Sequence, residues 1–133
     1  MIIGIGHDIV QIPRIQALLQ RYGSRFTQKC FAEIECNRAV NLSLAQQAAY
    51  YAKRFAAKEA CVKALGTGFR DQIMFKDITI ENDALGKPFI NLTGAALQRL
   101  HHLSGTIIHL SLSDDFPIAS AFVVIEAYSA RNI

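Results

Sequence analysis

Apolar and polar positions along this chain fall into runs of two periods. Residues 2–10, IIGIGHDIV, are β-branched and apolar with small glycines apart from His7 and Asp8, which predicts a buried strand ending around Asp8. Pro13 suits the first turn of a helix, and RIQALLQRYGSRF keeps helical apolar spacing until Gly23 interrupts it. A short helix is expected over residues 29–38. Asn41 or Ser43 can then cap a long one, LAQQAAYYAKRFAAKEACVKAL, whose alanines favour helix and which Gly66-Thr67-Gly68 closes. Beyond it, MFKDITIEND and KPFINLT read as a hairpin turning at Leu85-Gly86-Lys87. Residues 94–102 form a short helix, and TIIHLSLS and IASAFVVIEAY are two more strands joined by Asp114-Asp115-Phe116-Pro117. Helices grouped early and antiparallel hairpins late predict an α+β fold, a long central helix with a small antiparallel sheet. No repeat or linker-like stretch divides the 133 residues, so residues 1–133 are expected to form one domain.

Composition adds two points. Hydrophobic residues make up 51% of the chain and charged ones 19%, an apolar excess that favours a buried subunit interface. The formal net charge of +3 suits an anionic partner, but the chain has no basic–aromatic motif, and nucleic-acid binding is disfavoured. Cys30, Cys36 and Cys61 are odd in number and lack CxxC spacing, which fits reduced thiols better than a disulfide framework or a zinc site. The segment MIIGIGHDIV has no basic start or cleavage site, and no apolar run reaches membrane-spanning length. The expectation is a cytoplasmic chain. Gly4-Ile5-Gly6 is no dinucleotide fingerprint, because no helix opens after the glycines and no third glycine follows.

The candidate chemistry lies on the long helix and on the first strand. Glu59 and Lys63 are four apart and share a face, with Lys58 about a quarter-turn away. Such a pair is common on solvated helices, but RFAAKEACVKAL is too apolar to be one, and it runs into Gly66-Thr67-Gly68, whose amides could approach phosphate oxygens. Asp8 supplies a second carboxylate. Two carboxylates are too few for a calcium cage, yet they match magnesium, whose octahedron substrate phosphates and waters complete. With lysines nearby to neutralise phosphate charge, the chemistry suggested is transfer at a phosphate or pyrophosphate ester. Arg14, Arg21 and Arg25 would share one helix face if the helical turn persists past Gly23.

GIGHDIVQIPRI followed by RFAAKEACVKALGTG resembles the holo-[acyl-carrier-protein] synthase group of the 4′-phosphopantetheinyl transferases. The matching elements are Gly6-His7-Asp8, then Phe55-Ala56-Ala57-Lys58-Glu59-Ala60-Cys61-Val62-Lys63, and the likeness continues through IENDALGKPFINLTGAAL and HLSLSDDFPIASAFVVIE. The resemblance implies transfer of phosphopantetheine from coenzyme A to a serine of apo acyl carrier protein, releasing 3′,5′-ADP, in support of fatty acid biosynthesis. It implies that Asp8 and Glu59 hold Mg2+ and that Lys63 stabilises the transferring phosphate. It leaves the serine's proton to a metal-bound water or to Glu59. Lys58 becomes a weaker phosphate-side candidate, and Gly66, Thr67, Gly68, Gly86, Lys87 and Pro88 resemble the segments lining the nucleotide. Arg14, Arg21 and Arg25 match the basic helix that docks an acidic carrier protein. A single copy of the pattern implies a homotrimer with sites at its interfaces, whereas the broad-specificity relatives carry two similar halves.

One departure stands out. Many relatives carry Ser-His-Glu after the penultimate strand and a tyrosine before the last; here the chain reads Ser113-Asp114-Asp115 and Ile118, so no catalytic role is assigned there. His7 should face the opposite side of its strand from Asp8, as a core or interface residue. His109 is expected to be structural, and His101 and His102 to lie at the surface. The competing reading, a non-catalytic coenzyme A or carrier-protein binding module of the same fold, would be expected to have lost Asp8, Glu59 or Lys63, and all three are present.

Overall fold

The computed structural model describes residues 1–128. Strand β1 (Ile2–Gln11) leads into α1 (Ile12–Tyr22), α2 (Ser24–Cys30), α3 (Glu33–Ala39) and the long α4 (Leu44–Leu65). A 3-10 turn (Phe75–Asp77) precedes the hairpin β2 (Ile78–Asn82) and β3 (Pro88–Leu92), and α5 (Gly94–His102) leads to β4 (Ile107–Asp115) and β5 (Ile118–Glu126). The strands form a three-stranded antiparallel sheet in the order β1-β5-β4 and a separate two-stranded sheet, β2-β3. This is the α+β arrangement expected, with α4 packed against β1 and β5 at the centre.

Helix α4 starts where Ser43 accepts from the Gln46 amide while Gln46 reaches back to the Ser43 amide, a reciprocal cap. It ends at Gly66, whose φ of 81° is open to glycine at little cost. Ala48, Ala52, Ala56, Ala57, Ala60 and Ala64 are all buried, so neighbouring elements come close to the helix backbone. The contact with β1 is the tightest. A Cβ on Gly4 would lie 2.1 Å from the Ala64 carbonyl oxygen, and one on Gly6 1.8 Å from that of Ala60. Only glycine fits at either position, and the strand rests directly on the helix.

Three expectations need correction. β1 does not end around Asp8; it continues to Gln11, and it is buried on one face only. Ile5 and Ile9 point outward because no element among the described residues covers that face of the sheet. The helix expected over residues 29–38 is interrupted at Phe31 and Ala32. Phe31 is extended (φ −129°) and buried, and α3 begins only after it. Gly23 (φ 54°, ψ −128°) likewise ends the helical turn between Arg21 and Arg25, so the three arginines, though all exposed, do not form one continuous helix row.

Candidate functional site

The close seating of Gly4 and Gly6 on α4 turns alternate β1 side chains toward the helix, and Asp8 is the next of these. There it meets Lys63, which stands 55 positions later in the sequence. The Lys63 ammonium donates to Asp8 Oδ1 at 2.7 Å and to the His7 carbonyl oxygen at 3.1 Å. The Asp8 side chain is largely enclosed while the Lys63 side chain is more than half exposed, so the pair lies at the mouth of the strand–helix seam. The hydrogen bond to Asp8 raises the Lys63 pKa above the usual lysine range.

Glu59 completes the cluster. Burial, and then the Asp8 carboxylate beside it, push its pKa up, while Arg14 and Lys63 oppose the shift. A pair of neighbouring carboxylates, open on one side to solvent, is a donor set suited to a hard divalent cation. Protein groups would fill two positions and leave the rest to phosphates and water. Among the described residues there is no group of three or more His, Cys, Asp or Glu side chains able to hold a metal. Arg14, expected only at a docking surface, also places its charge near Glu59.

Lys58 does not join them. Its side chain has no exposure, and its ammonium donates to Glu35 Oε1 (2.8 Å), the Cys30 carbonyl oxygen (2.8 Å) and the Phe75 carbonyl oxygen (3.2 Å). All three of its protons are directed inward, away from any position that a phosphate could reach, which corrects the expectation of a phosphate-side lysine.

The Gly66-Thr67-Gly68 turn also differs from expectation. Its three amides donate to the carbonyls of Lys63 and Val62 and so close α4; they are not free to meet phosphate oxygens. The turn also sits at the negative end of the helix dipole. Whatever it offers a nucleotide is shape, and a Thr67 hydroxyl that itself donates to the Gly68 carbonyl oxygen.

The turn at Gly86, Lys87 and Pro88 is ordered by Asp83, whose Oδ1 accepts from the Leu85 and Lys87 amides. Asn82 donates to the Gly86 carbonyl oxygen and accepts at 2.9 Å from Arg54 of α4. The turn is therefore tied to α4 through Arg54, not to Asp8, Glu59 or Lys63. Sequence reasoning missed Glu35 and Arg54. A lysine inside so apolar a helix did signal a buried anion, but nothing in the sequence says which one.

At the departure noted above, Asp114 forms an ion pair with Lys53 of α4 at 3.1 Å. Ile118 is half-buried opposite Gln11 and Asp115. His7 lies exposed on the outer sheet face, its ring 6.2 Å from that of Phe122. His109 pairs with Glu126, and His101 and His102 are at the surface, as expected.

Comparison with known proteins shows the family. The model of the 4′-phosphopantetheinyl transferase superfamily matches residues 4–121, which include Asp8, Glu59 and Lys63. The chain belongs to this superfamily. Among its relatives within the superfamily, the holo-[acyl-carrier-protein] synthase of Bartonella tribocorum is 53% identical over 133 residues, covering 96% of this chain and 97% of that protein. The Neisseria meningitidis holo-[acyl-carrier-protein] synthase structure is 41% identical, with a TM-score of 0.82 over 95% of this chain and 99% of that one. The Bacillus anthracis synthase, solved in complex with coenzyme A (3′,5′-ADP), is 37% identical, with a TM-score of 0.81 over 96% and 99%. No helix among the described residues is long and apolar enough to cross a membrane.

Proposed function

We propose that this chain is a holo-[acyl-carrier-protein] synthase, moving 4′-phosphopantetheine from coenzyme A to a serine of apo acyl carrier protein. The observation that carries the reading is the meeting of Asp8, Glu59 and Lys63 at the β1–α4 seam, within a nearly full-length likeness to such synthases. The serine oxygen forms a bond to the phosphorus bearing the pantetheine arm, the bridging P–O bond breaks, and 3′,5′-ADP leaves. Asp8 and Glu59 would hold Mg2+, which when bound neutralises pyrophosphate charge and polarises the phosphorus. Lys63, exposed and anchored by Asp8, places its ammonium beside the phosphate as charge builds on the leaving oxygen. The serine's proton leaves to Glu59 or to water in the site.

Gly66, Thr67, Gly68, Gly86, Lys87 and Pro88 are proposed to line the nucleotide. Arg14, Arg21 and Arg25, all exposed, are proposed to meet the acidic face of the carrier, mainly speeding encounter. The uncovered sheet face supports assembly into a homotrimer: Ile5 is 58% exposed, Ile9 57% and Phe122 44%, too much apolar surface to leave in water. A cytoplasmic location is proposed alongside it.

The test is to incubate the protein with apo carrier, coenzyme A and magnesium and weigh the carrier by mass spectrometry. A phosphopantetheine-sized gain is expected, lost with chelator and lost in Asp8→Ala. No gain, or a gain indifferent to chelator, overturns the reading.

A further inference from the structure

Lys58 and Glu35 form an ion pair in which neither side chain has any exposure. Besides accepting from Lys58, Glu35 takes the Ala32 amide on Oε1 at 2.9 Å and the Ile80 amide on Oε2 at 3.2 Å. Through the Cys30 and Phe75 carbonyls, the two side chains join the end of α2, the start of α3, α4, the 3-10 turn and β2. Stability alone does not account for so much buried charge, since well-packed apolar residues of similar volume often serve as well or better. The ion pair is directional where an apolar pair is not. It sets how far α4 is rotated about its axis and where the Phe75 carbonyl sits.

Both quantities bear on the site. Lys58 immediately precedes Glu59, so the rotation that satisfies the lysine on the buried side of α4 presents Glu59 toward Asp8. Phe75 ends the segment that begins at Gly66, and its ring stacks on Phe69 (4.0 Å) and on Phe55 of α4 (5.2 Å).

We propose that Lys58 and Glu35 act together as positioning residues for the transfer, their ion pair keeping Glu59 in register with Asp8 and residues 66–75 seated against α4. The inference rests on the assignment of Glu59 above.

The test is the double variant Glu35→Met/Lys58→Met in the full chain, which fills the same space without direction. Its Tm is expected to fall, because the Ala32 and Ile80 amides and the Cys30 and Phe75 carbonyls lose their partners, while kcat at temperatures where the variant is folded falls by about 10- to 100-fold, as expected for small misplacements of reacting groups. The carrier's KM should change little, and amide exchange over residues 66–77 should accelerate. Glu35→Gln, which keeps an acceptor for Lys58 but turns an NH2 toward the Ile80 amide, should give an intermediate kcat. A folded double variant with parental kcat overturns the proposal. If the double variant does not fold, Glu35→Gln decides: reduced kcat at unchanged carrier KM supports the proposal, and parental kinetics overturn it. Glu59→Ala is the control. If it retains turnover, the site assignment falls and this inference with it. If Glu59→Ala is inactive and the Met/Met variant behaves as the parent, only this inference falls.

Discussion

Replacing Glu59 by Gln should abolish transfer and yet stabilise the metal-free protein. Burial and the neighbouring Asp8 hold the Glu59 carboxyl above the usual glutamate range, so its ionised form is less favourable in the folded state than in the unfolded one. Between the unfolded and folded pKa values the native state binds more protons, and stability therefore falls as pH rises through that window. Above it the whole cost is present. Desolvation of the ionised carboxyl makes the larger part of that cost, and the Asp8 charge beside it adds to it. Glu59 is only partly buried and Arg14 and Lys63 attract it, so solvent screening and these cations reduce the net cost to about 1 kcal/mol. In a chain of this size that is about 3 °C in Tm. Calorimetry in chelator at about pH 7.5 should show Glu59→Gln melting higher than the parent, and the gap should shrink toward acid pH, where the parent's Glu59 is itself protonated. Added magnesium should favour the parent instead, because only the parent keeps both carboxylates to bind it. A lower Tm for the variant at neutral pH, or a gain that persists unchanged in acid, would refute the reasoning.

Gly6→Ala should cost at least the upper end of the overpacking range, about 3 kcal/mol, because its Cβ would lie 1.8 Å from the Ala60 carbonyl oxygen and β1 would have to lift off α4. Thermal melting, with loss of transfer at temperatures where the variant remains folded, checks this. Changing Arg14, Arg21 and Arg25 to Glu should raise the KM for the carrier several-fold and flatten the salt dependence, leaving the KM for coenzyme A nearly unchanged for Arg21→Glu and Arg25→Glu. Arg14→Glu should also lower kcat, since its charge acts on Glu59. Ile5→Arg or Phe122→Arg should dissociate the proposed trimer in sedimentation velocity while the isolated chain keeps its helical circular dichroism; an unchanged sedimentation coefficient would exclude that face as the interface.

The order of the elements was legible in the sequence, and for two helices so were the bounds. Alanine content, Ser43 before the apolar run and glycine after it specify α4 as Leu44–Leu65, and the later short helix is Gly94–His102. These signals are local, written in capping and propensity within a few residues of each boundary. The break at Phe31 was not legible, because it serves a distant purpose: burying that ring and aiming Glu35 at Lys58. The meeting of Asp8 with Lys63 could be anticipated only through the resemblance, since nothing local to either residue says that two glycines bring strand and helix backbones together.

The sequence by itself determined the chemical character of the candidate site: two carboxylates and lysines on an α+β chain. The resemblance already ranked Lys63 above Lys58, but only the tertiary structure shows that Lys58 is enclosed away from Asp8. Lys58 and Lys63 stand on one helix in similar sequence surroundings, and their fates are set by what packs on each side of that helix. The side facing α2, α3 and the 3-10 turn encloses Lys58, where desolvation demands a full set of acceptors, and Glu35 and two carbonyls supply them. The side facing the end of β1 leaves Lys63 reaching solvent beside a largely enclosed Asp8.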